Sequence, residues 1–371
     1  MVKQPPNEEA LLEEALRTIE ERLPPRWSVE WTNYGSESGQ DRLLNLKSPN
    51  SSGRGFIVEV KRSLAPKEVA AMLNPELVRR LRVMSGGTPI LVVAPFISSR
   101  SQELLAEQDI SYLDLTGNIR LVLESPGLFV QTTGATRNPY STSRPTRGLR
   151  GAKAGVIVRT LIDARPPYTV SGIADVAGVV PGYVSRVLET LESEALVIRG
   201  ARGQVINVEW QELIRRRATA LDLLTQHTSK SFVSPNGARN ALERLGATKE
   251  WALVTGSFAA VRLAPIAAPA LLVAYSMRPD DLGSELNLRP VNEGADVVIV
   301  RPENPGVFRG AKEDGEVAWA APSQIAIDCF SGSGRMPSEG QAVIEWMALK
   351  EDQWRVPSLD KLPPTPKWAP K

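Results

Sequence analysis

Two residues three positions apart, Gly178 and Pro181, most constrain what this chain can fold into, because one closes a helix and the other opens the next. Ile173, Val176 and Ala177 recur at helical spacing over 170–177, the pattern stops at Gly178, and a second apolar stripe of Val184, Val187, Leu188 and Leu191 runs over 182–194. Glycine adopts the left-handed conformation that ends a helix tightly. Proline is tolerated in the first helical turn, where its missing N–H has no partner to lose. A third apolar-periodic helix, 154–164, comes before this pair and ends at Pro166-Pro167. Two strand-like runs follow, 196–198 and 205–208, joined by Arg199-Gly200-Ala201-Arg202-Gly203.

Helix, glycine turn, helix, strand and cationic hairpin is the order of a winged helix-turn-helix, here over 153–210. Its second helix enters the major groove of DNA and its hairpin lies on the backbone or in the minor groove. The buried stripe of 182–194 turns Tyr183, Ser185, Arg186 and Glu189 outward. Tyr183, Ser185 and Arg186 are therefore the candidates for bases and phosphates, with Arg199 and Arg202 in the wing. Residues 134–152 read as a flexible basic linker: from Gly127 to Gly155 there is no acidic residue, while Arg137, Arg144, Arg147, Arg150 and Lys153 are positive. Such a segment is either a solvated connector or lies along phosphates, adding salt-dependent affinity. A winged helix used only for protein contacts remains the competing interpretation.

A chain of 371 residues with 42% hydrophobic content has room for two or three domains with their own cores. Its 44 Lys and Arg against 42 Asp and Glu leave +2, so the placement of charge matters more than its sum. A single cysteine, Cys329, excludes an intrachain disulfide or a cysteine-rich zinc site and reads as a buried thiol. A single histidine, His227, argues against a Ser-His-Asp triad or a multi-histidine metal centre. Metal chemistry would fall to carboxylates and magnesium-type ions. The polar start carries no apolar signal core, and no run of 18 apolar residues occurs, which predicts a cytoplasmic protein with no membrane partner.

Residues 1–133 predict an α/β domain with a central mixed sheet. Helices are expected at 7–23, 66–83 and 98–108, and strands at 27–31, 43–46, 55–60, 88–94, 110–114, 119–123 and 128–132. Within this region the order strand, Asp41, loop, Gly55-Phe56-Ile57-Val58-Glu59-Val60-Lys61 resembles the PD-(D/E)XK nuclease superfamily. The resemblance implies a restriction-endonuclease-like domain in which Asp41 and Glu59 hold Mg²⁺ and Lys61 orients the attacking water. Glu59 and Lys61, two apart on a strand, project from one face, and Glu13 or Glu14 stands where a helix acid often joins the site. Gln40 replaces the proline usual before the first acid. A Glu-Val-Lys that ends a strand is often just an exposed ion pair, and without cleavage no cofactor is expected.

Residues 211–350 predict a further α/β domain, with strands at 252–255, 270–275, 296–300 and 317–320, helices at 212–227, 237–245 and 341–347, and a proline-rich, extended tail over 351–371. Val254-Thr255-Gly256-Ser257 resembles the Gly-Ser entry of the nucleotidyltransferase fold. The next strand lacks the acidic pair that two metals need, so a non-catalytic relative is implied. Ile110 to Ile119, where Asp114 and Asn118 flank Gly117, joins the winged helix and the ending Ala321 to Asp328, Gly334-Arg335, Glu339 and Ala342 in resembling AbiEi antitoxins of type IV toxin–antitoxin systems. A plain turn also accounts for Asp114 and Asn118. The resulting expectation is a multidomain α/β protein: a nuclease-like domain, a winged helix and a nucleotidyltransferase-like, antitoxin-like domain. It would bind double-stranded DNA as a homodimeric transcriptional regulator or antitoxin-type repressor. The alternatives are a Mg²⁺-dependent DNA endonuclease, or a protein-interaction module that neutralises a toxin or senses a ligand.

Overall fold

The computed structural model describes residues 5–33, 42–49, 51–73, 86–125, 127–136, 138–140, 149–221, 223–224, 229–303 and 305–366. The chain is an α/β protein that divides into two compact units, Met1–Arg144 with Ser193–Ala195, and Pro145–Glu192 with Leu196–Lys371.

In the first unit, helix α1 (Glu8–Glu20) starts where the Asn7 side chain accepts the Ala10 N–H at 2.9 Å. A mixed sheet follows in the order β1 (Ser28–Asn33), β2 (Arg42–Ser48), β3 (Ser51–Val60), β4 (Ile90–Ala94), β5 (Ser111–Asp114), β6 (Ile119–Leu123) and β7 (Leu128–Thr132). β3, β4 and β5 are parallel, and the flanking pairs are antiparallel. The unbroken apolar run of β4 is what a strand covered on both faces requires. Leu91 and Val93 pack with Leu11, Leu12, Ala15 and Ile19 of α1, while Val92 and Ala94 pack with Val69 of α2 (Pro66–Met72) and Leu105 of α3 (Ser99–Glu107).

In the second unit, α4 (Ala152–Asp163), α5 (Val170–Ala177), α6 (Pro181–Ser193) and the antiparallel hairpin β8 (Val197–Arg199) and β9 (Val205–Val208) form a small module. α7 (Trp210–Ala218) leads out of it into a second mixed sheet. That sheet has the order β13 (Arg289–Pro290), β10 (Ser229–Val233), β14 (Val297–Val300), β12 (Leu272–Tyr275), β11 (Leu253–Thr255), β16 (Val317–Trp319), β15 (Lys312–Asp314). Alternation along β14 sends Val297 and Ile299 towards α8 (Gly237–Arg244) and α10 (Pro279–Glu285), which follows α9 (Gly256–Leu263). Val298 and Val300 face a larger core built from α11 (Pro322–Phe330), α12 (Met336–Leu349) and the module itself. The module therefore shares one hydrophobic core with the second sheet.

The polar fastening is equally shared. Arg159 of α4 donates to Asp163 at 3.1 Å, to the Gln324 side chain of α11 at 2.7 Å and to the Arg309 carbonyl at 3.0 Å. Arg309 donates to Thr160 at 3.0 Å, and Ser323 donates to Asp163. These groups are buried, so each unmade bond would carry a desolvation cost. α4 reads as simply amphipathic in the sequence; in the fold its C-terminal half is covered on every side, with Ile157 through Asp163 all buried.

Three of the differences from the sequence expectations concern α7, α11 and the tail. The helix expected over 212–227 is α7, Trp210–Ala218, and His227 lies outside the described residues. α11 was not expected as a helix, because its stretch of small and apolar residues is covered on all sides and shows no polar face. The tail is anchored well past the point where its prolines predict extension. Val356 forms a parallel bridge to Ala164, Trp354 meets Trp210 edge-on at 5.0 Å, and Leu359 packs against Gly172. After Trp354 the helix α13 (Glu351–Trp354) gives way to backbone bonds from Val356 N–H to Asp163 O (2.8 Å) and from Arg165 N–H to Val356 O (2.8 Å). Among the described residues no helix is long and apolar enough to cross a membrane.

Candidate functional site

The turn between α5 and α6 is built as its residues dictate. Thr169 caps α5 by accepting the Gly172 N–H at 3.1 Å, and Gly178 ends it in the left-handed region at φ 64°. Pro181 is the first residue of α6. Val184, Val187, Leu188 and Leu191 are buried, which leaves the opposite face of α6 to solvent.

That outward face has two halves. Its N-terminal half carries Ser185, half-buried, and Arg186, exposed, whose guanidinium lies 5.7 Å from the Tyr183 ring centre and donates to the Gly182 carbonyl at 3.2 Å. Tyr183 packs partly against the module's core. The C-terminal half is acidic, with Glu189 exposed and Glu192 engaged by Arg199 of β8, whose Nε donates at 2.8 Å. Arg199 is thus held back against α6 by a paired carboxylate, whereas Arg202, at the hairpin tip, is exposed.

Of the basic segment before the module, Arg137, Arg144 and Arg147 lie outside the described residues. Arg150 is exposed but donates to the Ala220 carbonyl at 3.0 Å, and Lys153 is exposed in the first turn of α4. Leu149 is buried in the core, so the linker's last residues are fastened to the module. Sequence reasoning missed an apolar component: Val180 is 69% exposed beside the N-terminus of α6, and Ile198 and Ile206 stand out on the hairpin's outer face. Their signal was present in the alternation of Val197-Ile198 and Val205-Ile206, one member in and one out.

In the first unit Glu59 and Lys61 do share a face, at the end of β3, and they pair with each other at 2.6 Å, both half-exposed. Asp41 lies outside the described residues. On α1, Glu14 pairs with Arg17 at 2.5 Å and Glu13 is exposed. Among the described residues no three His, Cys, Asp or Glu converge as a metal site would need. Asp114 has a structural task. Its carboxylate accepts from the backbone N–H of Ile97 (2.9 Å), Thr116 (2.8 Å) and Asn118 (3.1 Å), and from the Asn118 amide (2.8 Å) and the Thr116 hydroxyl (2.7 Å). Gly117, at φ 100°, takes the turn's strained position.

The Gly-Ser turn after β11 faces two buried acids from other helices. Thr255 donates to Asp328 of α11 at 2.6 Å, and Ser257 donates to Glu339 of α12. Asp328 also accepts from Tyr275 at 2.9 Å and Gln324 at 2.8 Å. Burial pushes the Asp328 carboxyl up to about 6 against these hydrogen bonds, which favour its ionised form. β12, the strand after the Gly-Ser turn, contains only Leu272, Val273, Ala274 and Tyr275, with no acid to hold a metal. Cys329 is buried, and its desolvated thiol titrates well above the usual range.

Among the described residues, then, the module's exposed sequence-predicted cations are Arg186 on the N-terminal half of α6, Arg202 at the tip of the β8–β9 hairpin, and Arg150 and Lys153 at the start of α4. Compared with protein-family models, with curated proteins and with solved structures, the chain matches none.

Proposed function

We propose that the chain binds double-stranded DNA through this surface in the manner of a winged helix-turn-helix, and acts as a transcriptional regulator or antitoxin-type repressor. α6 serves as the recognition helix, with Arg186, Ser185 and Tyr183 facing the major groove, and the β8–β9 hairpin is the wing. The single observation that carries the proposal is the uncovered N-terminal half of α6: among the described residues Arg186 is bound there only to its own helix, and the tip of the β8–β9 hairpin exposes Arg202. Recognition helices read base edges from their N-terminal residues, and an exposed valine such as Val180 suits a thymine methyl group. Lys153, exposed on α4, adds a phosphate contact. Because one such module reads few base pairs, the protein works as a homodimer on a symmetric site.

The resemblances to PD-(D/E)XK nucleases and to AbiEi antitoxins belong to the same proposal. The mutual ion pair of Glu59 and Lys61 favours a first unit that positions or binds without cleaving, and the hydroxyl-locked acids Asp328 and Glu339 favour a non-catalytic second sheet. An electrophoretic shift assay with a mixed pool of duplexes tests the binding surface. Arg186→Ala and Arg202→Ala are expected to weaken the complex while circular dichroism stays unchanged; undiminished affinity in both variants would remove this face from consideration.

A further inference from the structure

Where α4 and α7 meet the second sheet lies a cavity of about 60 Å³, bounded by Gly155, Arg217, Tyr275, Glu303, Gln324 and Asp328. At roughly 10–15 Å³ per enclosed water, it holds a few waters or a molecule of a few heavy atoms. Most of its polar wall is committed. Gln324 accepts from Arg159 and donates to Asp328, and Asp328 also accepts from Thr255 and Tyr275.

Arg217 is the exception. Its residue is 8% exposed, and among the described residues its Nη1 has no hydrogen-bond partner. Desolvation lowers its pKa, with Glu303 the largest opposing influence. A guanidinium nevertheless keeps its proton in proteins, so a full charge borders the cavity. The chain makes room for that charge deliberately: a Cβ on Gly155 would stand 2.6 Å from Arg217 Nη2. Glycine inside α4 weakens the helix by about 0.5–1 kcal/mol relative to alanine, a cost that the guanidinium's position explains. Glu303, which borders the cavity, is exposed to solvent.

We propose that this cavity binds a small carboxylate, its oxygens received by Arg217 and its short apolar part lying against Val300, Val307 and Ile327. The planar guanidinium matches a carboxylate in geometry as well as charge, and the volume admits no nucleotide or peptide. A ligand there touches α4 and α7 on one side and β12, β14 and α11 on the other, bridging the module to the second sheet. The site stands independently of the DNA-binding proposal.

Calorimetric titration of the full chain with sodium propionate, with propionamide, and with sodium chloride at equal ionic strength tests it. Propionate is expected to bind saturably. Propionamide, which has the same shape without the charge, should bind at least roughly 30-fold more weakly, as loss of one partner in a buried charged pair implies. Gly155→Ala and Arg217→Lys are each expected to weaken propionate binding. Equal binding of propionamide, a response to chloride matching that to propionate, the absence of saturation, or full affinity in a folded Arg217→Lys variant would overturn the proposal. Should either variant fail to fold, the propionate-to-propionamide ratio on the unsubstituted protein, with the guanidinium nitrogen resonance of Arg217 followed by NMR, decides alone.

Discussion

Two helices of the same module, α4 and α6, use arginine in opposite ways. On α4, Arg159 is 4% exposed and every direction of its guanidinium is answered, by Asp163, Gln324 and the Arg309 carbonyl. On α6, Arg186 stands in solvent and, among the described residues, donates only to the carbonyl one turn back. The difference separates fastening from recognition. A buried charge with a full set of partners is committed to holding the fold, because removing one partner strands the others. An exposed charge on a rigid element is free to meet a ligand at little cost to stability.

The largest effect is expected from breaking that contrast on the buried side. Arg159→Met leaves Asp163 with a weakened set of partners, and urea unfolding should show a loss of about 3–5 kcal/mol. Arg186→Ala, in the same assay, should change stability by no more than about 0.5 kcal/mol. Comparable losses in both would erase the distinction.

A second effect sharpens the buried side alone. Asp328 has a folded pKa of about 6 against an ordinary value of 3.8. The folded state therefore binds this proton more tightly than the unfolded chain does. The stabilisation it brings is present below pH 3.8 and is lost as the pH rises through about 6, on the order of 3 kcal/mol in all. The stability profile of Asp328→Asn should be flatter than that of the parent between those two values. An unchanged slope would mean that other groups set it.

On the exposed side, Arg186→Ala and Arg202→Ala should each lower duplex affinity roughly tenfold, about 1.4 kcal/mol, and whichever of the two contacts phosphate should also reduce the salt slope by about one. Fluorescence anisotropy over a range of salt concentrations measures both. The smallest effect tests the intermediate case, Arg199, which Glu192 holds. Glu192→Gln releases it and is expected to strengthen binding by a few-fold at most, the scale of a partly exposed ion pair. Supercoiled plasmid incubated with Mg²⁺ or Mn²⁺ should remain intact; nicking that Glu59→Gln abolishes would show that the first unit cleaves.

Legibility in the sequence followed how much of each element's environment is local. α5, Gly178 and β9 were readable almost to the residue, because capping, glycine conformation and strand alternation are encoded within a few positions. The strands of the first sheet were likewise readable from apolar runs flanked by turn residues. α11 was not, since a helix buried on all sides has no polar face to give it a period. Nor was the sharing of a core between the module and the second sheet. It depends on Arg159, Asp163 and Arg309, which in one dimension are only charged residues in an otherwise apolar helix and a distant loop. The same limit applies to the candidate interface: Arg186 and Arg199 look alike in the sequence, and only the placement of Glu192 divides them. Arg217 is one of three successive arginines on α7, and the buried one among them.

Photo-crosslinking from position 185 tests the central claim most directly. With a photoreactive amino acid in place of Ser185, a bound duplex should be captured on irradiation, and excess unlabelled duplex should prevent the capture. Formation of a stable protein–DNA complex without any crosslink from that position would contradict the assignment of α6 as the helix that meets DNA.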